Sequence, residues 1–123
     1  SGTAYCTGRG EILEPFTLKS PLNGWITKPP YGLSTPLVYK ETRVSELIPS
    51  DPREYSLFYN DLQFAAFRLE PRLQEFESQL WKRGFDFVTM TGSGTAFFCI
   101  GDKADTQGLI PFQSTERQEN SWY

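Results

Sequence analysis

The apolar positions of the chain repeat with two different periods, and the switch between them marks its elements. Thr3 to Thr7 and Glu11 to Phe16 are short β-forming stretches around Gly8-Arg9-Gly10. This spacing predicts two strands joined by a hairpin turn. Gly24-Trp25-Ile26-Thr27-Lys28 predicts a third strand. Pro29 and Pro30 stop it, since proline cannot donate to a ladder. Tyr31-Gly32-Leu33 is expected to turn. Ser34 or Thr35 then suits a helix cap, with Pro36 in the first turn and the helix running through Leu37, Val38, Tyr39 and Lys40. Residues 42–56 are polar and carry Pro49 and Pro52, which predicts a surface connection with a helical turn at Val44–Leu47.

The period then changes to 3.6. Leu62, Ala65, Ala66 and Leu69 share one helical face, and Asn60 is expected to cap that helix with Asp61 in its first turn. Pro71 reopens the helix pattern, and Leu73, Phe76 and Leu80 form its buried stripe. Lys82 and Arg83 suit the last turn, and Gly84 the position just past it. From Phe85 to Gly101 the alternation of strands returns on either side of Thr91-Gly92-Ser93-Gly94-Thr95. Residues 102–123 are mostly polar, with one apolar patch, Leu109 to Phe112, that predicts an edge strand ahead of a loose tail ending in Trp122 and Tyr123. Strands and helices are partly segregated, so the expected class is α+β, a two-layer domain with a mostly antiparallel sheet.

Composition narrows the functions open to such a domain. At 123 residues the chain predicts a single domain, residues 1–123, and ten Phe, six Tyr and three Trp supply bulk for its core. The net charge is −3 and the cations are scattered, which argues against nucleic-acid binding. No apolar run is long enough to span a bilayer. The chain has no histidine, which removes Ser-His-Asp and Cys-His catalysis and histidine metal sites. Cys6 and Cys99 lie in strand-like runs and are expected to be buried, reduced thiols, with a cross-strand disulfide left open. The opening SGTAYC starts inside what already reads as a strand, which suggests a fragment whose upstream half is missing.

The glycine loop admits two readings. Gly92 and Gly94 permit the backbone angles of a tight turn, and the same lack of Cβ lets backbone N–H groups approach an anion. It is not a Walker loop, because no Lys-Ser/Thr follows and the next segment is a strand.

Three stretches, YCTGRGEI at 5–12, YNDLQFAAF at 59–67 and MTGSGTAFF at 90–98, in this order and spacing, resemble the C-terminal half of the GHMP kinases, the galactokinase, homoserine kinase and mevalonate kinase group. KPPYGLSTPLVYKE at 28–41 is also close to that pattern. Gly-Arg-Gly-Glu together with Asn-Asp-Leu narrows the likeness to the branch that phosphorylates 4-diphosphocytidyl-2-C-methyl-D-erythritol. The resemblance implies a ferredoxin-like α+β core with helices on one face. It also implies ATP as co-substrate with Mg²⁺, transfer to the 2-hydroxyl in the non-mevalonate route to isoprenoids, and a bacterial cytoplasmic or plastid location. Carried over residue by residue, it makes Thr35, Pro36 and Tyr39 part of a cytidine pocket, with the Tyr39 ring stacked on the base. It makes Thr91, Gly92, Ser93, Gly94 and Thr95 a loop facing the nucleotide phosphates.

Three departures from the family pattern are visible. Tyr39 stands where many relatives carry Phe, Thr91 where Ser is common, and Gln63 where Glu is common. The last, with the capping role expected of Asn60 and Asp61, argues against a catalytic carboxylate there. Arg9 and Glu11 read as an exposed structural pair. The family's phosphate loop, catalytic Asp and Lys belong to the N-terminal half, so the resemblance implies no catalytic residue and no metal ligand in this chain, a missing N-terminal kinase domain as its partner, and no turnover by the fragment alone. A different GHMP kinase, or a free-standing non-catalytic ferredoxin-like ligand-binding domain, remains the alternative.

Overall fold

Ten short elements follow one another in a computed structural model that describes residues 4–15, 20–47, 51, 53 and 59–114. Strands β1 (Ala4–Thr7), β2 (Ile12–Pro15) and β3 (Asn23–Thr27) come first. Helix α1 (Thr35–Glu41) and a 3₁₀ turn (Val44–Glu46) lead to α2 (Gln63–Leu69) and α3 (Arg72–Lys82). Strands β4 (Phe87–Met90), β5 (Phe97–Ile100) and β6 (Ile110–Gln113) close the order. The expected succession of strands, helices and strands is therefore present. Thr3, Phe16, Pro49, Pro52 and the tail with Trp122 and Tyr123 lie outside the described residues.

The chain divides into two compact units, one of residues 1–23 with 113–123 and one of residues 24–112. In the first, β1 and β2 pair antiparallel from Ala4 opposite Pro15 to Thr7 opposite Ile12. Gly8 and Gly10 take positive φ angles in the predicted turn. Glu11 and Arg9 do not form the expected side-chain pair. The Glu11 carboxylate instead accepts the backbone N–H of Arg9 and so closes the turn. Cys6 is exposed on this ribbon, not buried, because a two-stranded ribbon leaves one set of alternate side chains uncovered.

In the second unit, β4, β5 and β3 form an antiparallel sheet, and the full strand order is β4-β5-β3-β6. Numbered within the sheet alone, this is the order 2-3-1-4, that of the ferredoxin-like fold, with α1 to α3 in the crossover from β3 to β4. Alternation then decides the core. Val88, Met90, Phe97 and Cys99 point to the helical side, where they meet Ala66 of α2, Leu73 and Leu80 of α3, and Phe85. The rings of Phe76 and Phe97 sit 5.5 Å apart across the layer. On the other side of β5, Phe98 packs edge-on against Phe112 of β6. Gly24 is required by space: a Cβ there would stand 2.6 Å from the Cys99 carbonyl oxygen and 2.7 Å from the Phe112 ring. Pro71 opens α3 and Gly84 follows its end with φ of 101°.

Both cysteines are free thiols, and they lie in different sheets. Burial pushes the Cys99 thiol up to about 11, from an ordinary value of 9.0. The folded chain keeps that proton while the unfolded chain would lose it, so this thiol's contribution to stability is present below pH 9 and is lost as pH rises through about 11. Under native conditions at pH 8 a thiol reagent should therefore label Cys6 rapidly and Cys99 only after unfolding. Two equally fast thiols would contradict the buried position of Cys99.

Candidate functional site

The last pair of the β3–β5 ladder is Thr27 with Phe97, and the last of β4–β5 is Met90 with Phe97. The chain leaving β3 and the glycine turn entering β5 therefore emerge at the same end of the sheet. The turn is closed by the Thr91 N–H donating to Ala96 O at 2.8 Å and the Gly94 N–H donating to Thr91 O at 3.1 Å. Gly92 and Gly94 have φ of 52° and 98°, which explains both glycines. Gly94 is also short of space, since a Cβ would stand 3.1 Å from Met90 Sδ.

Two hydroxyls bind the turn to the segment after β3. Thr95, 2% exposed, donates through Oγ1 to Tyr31 O at 2.7 Å. Thr35 Oγ1 and Ser93 Oγ lie 2.8 Å apart. The structure thus brings the two sequence-predicted groups together, the helix residues at 35–39 and the loop at 91–95. Their surroundings differ. Thr95 is buried with its hydroxyl committed, Gly92 is exposed, and Thr91, Ser93 and Gly94 are half-buried. Among the described residues the N–H groups of Gly92 and Ser93 have no hydrogen-bond partner. Successive unspent amides beside hydroxyls can receive an anionic oxygen. The group contains no carboxylate, so it does not fit a divalent cation. Among the described residues no three His, Cys, Asp or Glu side chains gather to hold a metal.

Helix α1 begins with Ser34 at its cap position, although the Ser34 hydroxyl makes no capping bond, and Pro36 is in its first turn. Val38, fully buried, anchors it. Tyr39 is 62% exposed, so its ring is open to a ligand and not packed under the sheet. Thr35 and Tyr39 are four residues apart and share a face of the helix. The far end of α1 is held by Arg68 of α2, a residue that no period or motif singled out. Its guanidinium donates to Glu41 Oε1 at 2.9 Å, to Glu41 O at 2.8 Å and to both Glu46 carboxylate oxygens at 2.6 and 2.7 Å. The guanidinium of Arg72, at the start of α3, lies 4.1 Å from the ring centre of Tyr31 on the segment after β3 while pairing with Glu70. That pairing holds the Glu70 carboxyl below its ordinary range.

Asn60 is placed differently from the sequence expectation. Helix α2 starts at Gln63, Leu62 occupies its cap position, and no acidic residue lies in its first turn. Asp61 therefore precedes the helix. Asn60 accepts the Leu62 N–H through Oδ1 at 3.0 Å, and its Nδ2 donates to Met90 O and Gly92 O, both at 2.7 Å.

A protein of the small-molecule kinase class shares this architecture. A crystal structure of 4-(cytidine 5'-diphospho)-2C-methyl-D-erythritol kinase superposes with a TM-score of 0.69 at 34% identity, covering 77% of this chain and 39% of that one, in its C-terminal part. The 4-diphosphocytidyl-2-C-methyl-D-erythritol kinase of Protochlamydia amoebophila is 42% identical over 135 aligned positions, covering 99% of the chain. The chloroplastic kinase of the same name from Oryza sativa is 32% identical over 99% of the chain. No protein-family model matches the chain. The chain belongs to the family of 4-diphosphocytidyl-2-C-methyl-D-erythritol kinases, and it spans less than half their length, 44% of the Protochlamydia protein and 37% of the rice protein.

The bond from Thr95 to Tyr31 O should be worth more than an average hydrogen bond, because it is buried. Thr95→Val keeps the shape but leaves that carbonyl unpaired. It should lower the unfolding free energy by about 1–3 kcal/mol in denaturant titration. A change indistinguishable from zero would mean that the hydroxyl does not hold the two segments together.

Proposed function

We propose that this chain is the substrate-binding C-terminal part of an ATP-dependent kinase. The full protein would transfer the γ-phosphoryl group of ATP to the 2-hydroxyl of 4-diphosphocytidyl-2-C-methyl-D-erythritol, in the non-mevalonate route to isoprenoids. The observation that carries the reading is the 2.8 Å contact of Thr35 with Ser93, which sets an exposed aromatic helix face beside a turn with two unspent amides. The names of the relatives supply the substrate.

In this reading the Tyr39 ring stacks on one face of cytosine, while Thr35 and Pro36 border the base. Stacking suits an exposed ring on a helix fixed at both ends, since little ordering is needed when the base arrives. The Gly92 and Ser93 amides and the Thr91 and Ser93 hydroxyls donate to phosphate oxygens. Gly94 and the buried Thr95 keep the turn in shape. None of these groups can take the proton of the attacking hydroxyl at neutral pH. Mg²⁺, which neutralises charge on the transferring phosphoryl group, finds no carboxylate ligand in this group. In this proposal the catalytic and metal-holding residues belong to the N-terminal kinase domain, the partner of this chain. Relatives from bacteria and with chloroplastic names support a bacterial cytoplasmic or plastid setting.

The full gene product should phosphorylate the cytidylyl substrate and not mevalonate or homoserine. Tyr39→Ala should raise the KM for that substrate roughly 5- to 100-fold, the worth of one base–aromatic stack, with a smaller effect on the KM for ATP. The 123 residues alone should show no turnover. An unchanged KM in the Tyr39→Ala protein, or preference for mevalonate or homoserine, would refute the pocket or the substrate respectively.

A further inference from the structure

We propose that Asn60 is a positioning residue for the glycine turn, and that its side-chain amide, not a helix-capping role, is the reason an asparagine stands there. The inference rests on the phosphate-facing reading of the turn only for its kinetic consequence.

One nitrogen, Asn60 Nδ2, reaches two carbonyl oxygens that are two residues apart, Met90 O at the end of β4 and Gly92 O within the turn. Its two hydrogens are thereby both used. A trans peptide is planar, with N–H and C=O pointing in opposite directions. Drawing Gly92 O toward Asn60 therefore turns the Ser93 N–H away from it. The same geometry at Met90 directs the Thr91 N–H away, toward its acceptor Ala96 O. Asn60 thus selects which side of the turn carries the unspent Ser93 amide. The turn needs such a hold, because Gly92 and Gly94 carry no side chain that could restrict the backbone. Oδ1 is meanwhile engaged by the Leu62 N–H, so the start of the α2 segment and the turn are fixed by one side chain.

This arrangement separates two roles by chemistry. Aspartate caps as well as asparagine does and keeps the oxygen that Leu62 uses, but it has no hydrogen to give. In Asn60→Asp a carboxylate would face two carbonyl oxygens. Asn60→Ser removes the donor without adding charge. In the full 123-residue chain, amide exchange at Thr91 and Gly94 should speed up by at least about tenfold in both variants, while exchange in the core strands stays unchanged. In the full gene product the KM for ATP should rise by about tenfold, and the KM for the cytidylyl substrate should stay within about twofold. A merely structural role would leave the KM for ATP unchanged relative to the KM for the cytidylyl substrate. Unchanged exchange at Thr91 and Gly94 in both variants would overturn the proposal. Should exchange speed up while the KM for ATP stays constant, the tether stands and the phosphate-facing reading of the turn falls.

Discussion

The register of β3 against β5 is the constraint on which the rest of the site depends. Because Thr27 pairs with Phe97, the residues after β3 and the residues before β5 must leave the sheet side by side. A slip of one residue would turn the β3 side chains to the opposite face, exchanging Trp25, which packs on the core, with Ile26. Core burial thus fixes the register, and the register fixes the meeting of the two segments. No residue that would touch a ligand is needed to establish it.

Above that constraint, the polar contacts divide into those that hold and those that face outward. Thr95 with Tyr31, Asn60 with Met90 and Gly92, and Arg68 with Glu41 and Glu46 are spent within the protein. The Tyr39 ring and the amides of Gly92 and Ser93 are not, among the described residues. A site of this kind binds with small loss of freedom, since the groups offered to the ligand sit on backbone already fixed by other bonds. It also suits the division of labour in the proposed kinase. In that proposal, recognition falls to rigid exposed groups of this chain, and proton transfer and metal binding to residues elsewhere in the protein.

Much of this was legible in the amino-acid order. The 3.6-residue stripes of Leu62 to Leu69 and Leu73 to Leu80, the proline stops and the glycine turn placed the elements closely, and the motif stretches named the family. The exceptions are instructive. Asn60 and Asp61 looked like a helix start because their local chemistry suits one, but the acceptors of the Asn60 amide lie 30 and 32 residues away, beyond any local pattern. Arg68 was invisible for the same reason: its partners lie 22 and 27 residues earlier, on a segment with no periodic signal. Cys6 was expected inside because its neighbours are β-forming. Strand propensity does not tell whether a second layer will cover the strand. Thr95 gave no hint of burial, since a threonine in a glycine turn is as easily exposed.

The central claim is that the helix at 35–39 and the turn at 91–95 act as one site through the contact of Thr35 with Ser93. A double-mutant cycle of Thr35→Val and Ser93→Ala, read as kcat/KM for the cytidylyl substrate in the full gene product, tests it most directly. The account predicts coupling, with the double variant less impaired than the sum of the singles by about 0.5–3 kcal/mol. Strict additivity would contradict it, leaving two independent segments that happen to lie at the same end of the sheet.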